Sequence, residues 1–307
     1  MSPTGRDLTP AEQAHRTLAS GFWAVRELSE MVGGVDNHVF AAPQPFLQDL
    51  VVKVPRVAGR DRFSSAHWAT EQCLRVGFPA PRVLRWAKGS CVETRIDGRA
   101  LDADSADPAE TLAAAIELGA LLRRLHEVPV TGYGRLSPGG RGQHTSALTW
   151  LSAVRWPDGL DPDLAGRAKA MLRRFAPDLD GRPARLLHGD LTCGHVLIDG
   201  EGRVAGVVDW ESVRGGDPWL ELAGVSLRFP VELAEQVLHG YCPAGPDRAE
   251  TAAMAVYRIR IAVALAAFHL ERGEPAAQRY IALLAADLDD LDAGAPAAAP
   301  RPVGSSS

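Results

Sequence analysis

The spacing of apolar and polar positions divides the chain into a strand-rich first third and a helix-rich remainder. Residues 8–32 read as a helix entered at Thr9-Pro10, an N-cap followed by proline in the first turn, which runs on into a first strand. The stretch Gly33-Gly34-Val35-Asp36-Asn37-His38-Val39-Phe40 is turn chemistry between apolar runs and reads as a hairpin loop. Residues 49–54 form a short β-rich run broken by Pro55. The period turns helical over 60–76 and stops at Gly77 and Pro79. Residues 83–86 and 91–96 read as a strand pair joined at Lys88-Gly89.

Beyond Asp97-Gly98 the period lengthens. Leu112, Ile116, Leu118, Leu121, Leu122 and Leu125 recur at helical spacing in 108–128. A Gly-rich loop (132–142) follows, then helices near 145–155, 161–175, 219–239, 247–272 and 275–292. The Ala/Pro/Ser-rich tail from Ala293 is expected to be disordered. The pattern predicts an α+β protein: a small β-rich lobe (1–97), a larger, mainly helical lobe (98–292) and a tail (293–307).

Residues 186–211 interrupt the helical remainder with two short apolar runs, Val196-Leu197-Ile198 and 204–208. The first follows His188-Gly189-Asp190, and the second ends in Asp209 and Glu211. A hairpin of these two strands brings Asp190, His195 and Asp209 to one end. Such a group suits phosphoryl transfer, in which one carboxylate takes a hydroxyl proton while others hold the Mg²⁺ that neutralises nucleotide phosphates. Lys53 lies inside the apolar run Leu50-Val51-Val52-Lys53-Val54, where a buried ammonium requires an acidic partner. Glu71, in the next helix, is the natural candidate. The Gly33-Gly34 turn, with Asn37 in the same loop, could cover phosphates with backbone N–H groups. Glu93-Thr94 falls at the lobe junction, where main-chain groups could read a purine edge. His188 reads as a buttress, Asp217 as an N-cap, and His126 as a helix-end histidine.

Composition narrows the partners. The 307 residues are 46% hydrophobic and 23% charged, with a net charge of −5, so no polycationic surface for nucleic acid or an anionic membrane is expected. No apolar run approaches the roughly 18 residues of a membrane span, and no basic-then-apolar leader opens the chain, so a cytoplasmic protein is expected. Cys73, Cys91, Cys193 and Cys242 form no CxxC pair, which argues against zinc and a disulfide framework.

The residues HGDL, VLID and VVDWE of this hairpin, with Lys53 upstream, resemble the aminoglycoside phosphotransferase family over roughly residues 20–290. The family looks like a protein kinase fold cut down for small molecules. The resemblance implies a two-lobed kinase-like fold, ATP or GTP as donor, Mg²⁺, and a small-molecule hydroxyl acceptor. It implies that Asp190 accepts the hydroxyl proton, that Asp209 binds Mg²⁺ with Glu211 beside it, and that Lys53 and Glu71 are the phosphate-holding lysine and its helix partner. The family's usual metal-binding Asn is replaced here by His195, a poorer Mg²⁺ ligand. The macrolide phosphotransferase branch also reads HGDLxxGHxLI, its members are active kinases that often favour GTP, and position 195 is kept among the metal candidates.

The helix over 257–273 is apolar and in places basic, so no acidic cage for a polycation is evident. The expectation is an antibiotic O-phosphotransferase, monomeric or homodimeric, acting on a macrolide, an aminoglycoside or a related acceptor. Rival readings are a metabolic kinase of a small alcohol such as choline, homoserine or a sugar, and a nucleotide-binding pseudokinase.

Overall fold

The computed structural model describes residues 8–25, 27–31, 35–59, 62–87, 89–102 and 107–293. Helix α1 (Pro10–Ser20) opens with a capping box in which Thr9 and Glu12 satisfy each other's backbone amides. Strands β1 (Ser29–Met31), β2 (Asn37–Ala42) and β3 (Leu50–Pro55), helix α2 (Phe63–Arg75), and strands β4 (Val83–Ala87) and β5 (Ser90–Thr94) follow. The five strands form one antiparallel sheet in the order β1-β2-β3-β5-β4. Strand β3 is central, and its near-continuous burial explains the unalternating run Leu50 to Val54. Helix α1 lays Ala14 and Leu18 on a small core with Phe40, Leu50, Val52 and Val92.

Strand β2 begins at Asn37, so the second half of the expected 33–40 loop is strand. Gly33 and Gly34 lie outside the described residues, as does the tail from 294 onward.

Strand β6 (Arg99–Ala100), helix α3 (Pro108–Leu125), strands β7 (Tyr133–Leu136) and β8 (Gly142–His144), and helices α4 (Ala147–Ser152) and α5 (Pro162–Phe175) come next. Strands β9 (Arg185–Leu187), β10 (Val196–Ile198), β11 (Val204–Val207) and β12 (Arg214–Gly216) lead into α6 (Pro218–Arg228), α7 (Val231–Tyr241), α8 (Arg248–Leu270) and α9 (Ala276–Asp292). The expected Gly-rich loop is a β7–β8 hairpin, and the expected helix 219–239 is two helices, broken at Phe229-Pro230. Within α3, Leu118, Leu121, Leu122 and Leu125 are buried while Leu112 and Ile116 face out. Helices α3 and α7 cross closely because Gly119 and Gly240 meet there: a Cβ on Gly240 would lie 1.9 Å from the Ile116 carbonyl oxygen.

Most of α8 is core. This 23-residue helix is long and apolar enough to cross a membrane by length and composition, contrary to the expectation that no run approached that size. Its richest window is 61% buried within the protein, where it packs against α6 and α9. The large core also takes in Ala66, Ala69 and Cys73 of α2 and Phe78 after it. Phe78 meets Trp210 edge-on at 5.7 Å, and the Val207 amide donates to the Pro79 carbonyl at 2.9 Å, tying the first sheet's helix to the β10–β11 hairpin.

Candidate active site

Strands β10 and β11 pair antiparallel with Val196 opposite Val207, and the ladder extends by one bond from the Val208 amide to the His195 carbonyl, at 2.9 Å. Asp209 follows at once in a left-handed conformation (φ 71°, ψ 58°), uncommon for a residue with a side chain. That turn ends the strand and aims the carboxylate toward the first sheet, half-exposed, while Trp210 pins the turn through an Nε1–H bond to the Val207 carbonyl at 2.8 Å.

Lys53 reaches the same place from β3, with Val39 and Cys91 as its register partners. Its Nζ lies 2.9 Å from Glu211 Oε1, 3.2 Å from Glu93 Oε1 and 3.4 Å from Asp209 Oδ1. One ammonium thus faces three carboxylates, Glu93 and Glu211 largely buried and Asp209 half-exposed, and protonation redistributes the excess charge. Burial alone would lower the Lys53 pKa, but Glu211, Glu93 and Asp209 together hold it well above the ordinary value. Burial raises Glu93 despite Lys53. Burial, reinforced by the neighbouring Asp209 charge, pushes Glu211 up to about 8 even against the attraction of Lys53. Asp209, also opposed by burial, is instead held well below the carboxylate range by Lys53 and by its contact with Glu211.

This geometry corrects the expected pairing. Glu71 is 49% exposed, and among the described residues its ion pair is with His67, 3.8 Å away one turn earlier in α2. Helix α2 turns its small residues into the core and leaves this acid outside. The partner of Lys53 in the first sheet is Glu93, two positions along β5 from the register partner Cys91 and therefore on the same face. Glu93 is accordingly a side-chain partner of the lysine as well as a lobe-junction residue. Thr94 Oγ1 accepts from the Arg82 amide at 2.9 Å, bracing the strand end. Asn37 is buried at the start of β2, opposite Pro55.

His195 bridges the two sides of the loop. Its Nδ1 donates to the Asp190 carbonyl at 2.8 Å, which turns Nε2 toward Asp209 Oδ2 at 3.5 Å. His188, fully buried, donates from Nε2 to the Val208 carbonyl at 2.9 Å and accepts the Asp190 amide on Nδ1 at 3.3 Å. That tautomer is neutral, in keeping with the downward pull of burial on its pKa. The ring packs on Trp210 with centroids 4.7 Å apart.

One anchor was missed in the sequence. Glu221 of α6 accepts the His188 amide on Oε2 and the Gly189 amide on Oε1, both at 2.8 Å, and Oε2 also faces His126 Nε2 at 3.4 Å. Burial opposes its ionisation, but the hydrogen bond and charge of His126, with the Gly189 amide, pull its pKa down to about 2. The available signal was an acid at the centre of the apolar run Leu220-Glu221-Leu222, on the face of α6 turned to the core. His126 does end α3, and it is also this carboxylate's partner. Asp217 caps α6 through the Trp219 amide and further binds Arg182 and the Tyr257 hydroxyl.

Gly189 adopts φ 84°, and a Cβ there would lie 2.5 Å from both Arg214 Nε and the Ser212 carbonyl oxygen. Only glycine lets the loop place Asp190 where it lies, on the wall of a cavity of about 520 Å³ between α6, α8 and the His188–Asp190 loop.

A divalent cation fits beside Asp209. Glu211 Oε2 is buried without a hydrogen-bond partner, and the neighbouring carboxylates supply hard oxygen donors. Among the described residues no three His, Cys, Asp or Glu side chains enclose a metal by themselves, so such an ion would share its coordination with phosphate oxygens and water.

Comparison with known proteins agrees with the fold. Hygromycin-B 4-O-kinase of Escherichia coli is 24% identical over 278 residues, spanning 82% of this chain and 77% of that protein. The structure of a thermostable mutant of aminoglycoside phosphotransferase APH(4)-Ia, in ternary complex with ADP and hygromycin B, superposes with a TM-score of 0.73. It does so at 20% identity, covering 90% of this chain and 98% of that one. Macrolide 2'-phosphotransferase MphH from Brachybacterium faecium gives a TM-score of 0.61 at 18% identity, over 88% and 96% of the two chains. The family model described as "Phosphotransferase enzyme family" matches residues 27–254, and the chain, with its antiparallel first sheet and helical remainder in a kinase-like α+β fold, belongs to that family.

Proposed function

We propose that the protein transfers the γ-phosphoryl group of a nucleoside triphosphate, ATP or GTP, to a hydroxyl of a small molecule held between the helices, an antibiotic of the kind its relatives phosphorylate. The observation that carries this reading is the placement of Asp190. It lines the cavity on one side, while His195 links its backbone to the Asp209 carboxylate on the other. A hydroxyl in the cavity meets a base, and a triphosphate beside Asp209 meets Lys53.

In this mechanism Lys53 holds the phosphates. Asp209 and Glu211, with His195 Nε2 facing the same space, would hold Mg²⁺, which when bound neutralises phosphate charge. Asp190 accepts the hydroxyl proton as the acceptor oxygen bonds to the γ-phosphorus and the bridge to the β-phosphate breaks. The nucleoside diphosphate leaves, and the proton passes from Asp190 to solvent. Arg228 forms an ion pair with the Asp190 carboxylate, 3.6 Å from Oδ1. His188 and Glu221 hold the loop still.

The test is expression in a sensitive host across an antibiotic panel, with mass analysis for a phosphate adduct, comparing wild type with Asp190→Asn. Resistance and an adduct that vanish in the variant support the reading. Turnover near wild type in a folded Asp190→Asn protein overturns the assignment of the base.

A further inference from the structure

The cavity beside Asp190 is built from three arginines on three elements: Arg214 of β12, Arg228 of α6 and Arg260 of α8. The acids on its wall are Asp190 and Glu221, and both oxygens of Glu221 are already taken by loop amides. Arg214 Nε and Arg260 Nε are buried donors with no partner. Neither side chain forms an ion pair among the described residues, and the Arg260 guanidinium lies 4.8 Å over the Trp150 ring. Burial lowers the pKa of both; Arg228 depresses Arg214 further while Asp190 and Glu221 only partly offset it, and Arg214 helps bring Arg260 to about 10. Buried Nε–H donors left without a partner on two neighbouring guanidiniums are costly unless an anion completes them. Lys53, Asp209 and Glu211, which face the nucleotide phosphates, do not line that cavity, and this separation favours an anion on the acceptor over one on the nucleotide.

From this arrangement we infer that the acceptor is an anionic alcohol. It carries a carboxylate or phosphate group that Arg214 and Arg260 bind, with Arg228 nearby, and presents its hydroxyl to Asp190. The inference rests on the phosphotransferase reading and narrows its acceptor away from polycationic antibiotics such as hygromycin B to an anionic alcohol. A polycation would meet three positive charges here. The α8 wall of Ile261, Leu265 and Phe268 adds an apolar surface for the body of the acceptor.

The test compares acceptors with and without an anionic group. Wild type, Arg214→Met and Arg260→Met proteins are assayed for nucleoside diphosphate release and phosphate adducts. The acceptors are N-acetylhomoserine and its methyl ester, glycerol 3-phosphate and glycerol, and hygromycin B. The expected result is a preference for one charged member over its neutral counterpart of about 10-fold or more in kcat/KM, lost mainly through KM in either arginine variant. The two charged probes separate a carboxylate from a phosphate acceptor.

A thermal-shift titration with sulfate, at saturating ADP to occupy the nucleotide site, gives a readout independent of turnover. Sulfate that raises the wild-type Tm but not that of either variant supports the inference even where no panel member is phosphorylated. Equal sulfate responses in all three proteins overturn it, as does efficient turnover of hygromycin B with both charged acceptors inert. In that last case the phosphotransferase reading still stands. That reading itself falls if the chain binds no nucleotide.

Discussion

Replacing Glu221 by Gln removes the charge that anchors the His188–Asp190 loop while leaving its volume intact. The native carboxylate accepts one amide on each oxygen, from His188 and Gly189. Gln keeps one acceptor and points an NH₂ at the other amide, so one buried N–H is left unpaired, at a cost of about 1–3 kcal/mol. Linkage gives a second route to the magnitude. A buried Glu whose pKa is drawn down to about 2 contributes roughly 3 kcal/mol when ionised.

Because the folded-state pKa is depressed, this stability is fully present above the unfolded value near 4.5 and is lost as pH falls through 2. The expected loss at pH 7 is therefore about 3 kcal/mol, or a fall in Tm of roughly 5 °C for a protein of this size. The gap between variant and wild type should shrink to less than about half by pH 3. Denaturant melts at pH 7, 5 and 3 read this directly, and a folded variant should also lose about 10- to 100-fold in kcat as the Asp190 loop loosens. A gap under about 0.5 kcal/mol at pH 7, or one that does not change with pH, would refute the reasoning.

Other substitutions probe neighbouring parts of the site. Glu71→Ala should stay within about 0.5 kcal/mol of wild type and retain activity, because the residue is exposed, whereas Lys53→Ala should cost about 3 kcal/mol or more by leaving three acids uncompensated. Chemical denaturation of both variants checks the contrast, and comparable damage from Glu71→Ala would restore the helix acid as the lysine's partner. Gly189→Ala should destabilise by about 2 kcal/mol or more and abolish transfer, since φ 84° and the contacts of a Cβ with Arg214 and Ser212 both oppose it. A melting curve and an activity assay suffice. Glu211, raised to about 8, favours the protonated fold, so its contribution is present below the unfolded value and lost as pH rises through 8. Denaturant midpoints of wild type should thus fall relative to Glu211→Gln between pH 5 and 8.5, and parallel profiles would contradict the proposed charge crowding.

The catalytic hairpin was legible because its geometry is local. Once Val196-Leu197-Ile198 and the run ending at Val207 pair, the two ends of a 3–4-residue ladder must coincide, and His195 and Asp209 meet. Lys53 was legible for a different reason, as a charge in an unbroken apolar run. Its partner was misjudged because helical position alone cannot say which face of α2 meets the sheet. The small residues Ala66, Ala69 and Cys73 went inward and carried Glu71 out.

The chain's own pattern determined the strand-rich and helix-rich division, the hairpin and its acids, and the capping of α1 and α6, all set by hydrogen bonding and side-chain period over a few residues. Tertiary structure alone decided that Glu93 meets Lys53, that Glu221 holds the HGD loop from 32 and 33 positions away, and that Arg214, Arg228 and Arg260 converge on one cavity. These contacts join faces of separate elements, and which faces meet is settled by how whole layers bury their apolar area, a property no local stretch of sequence contains.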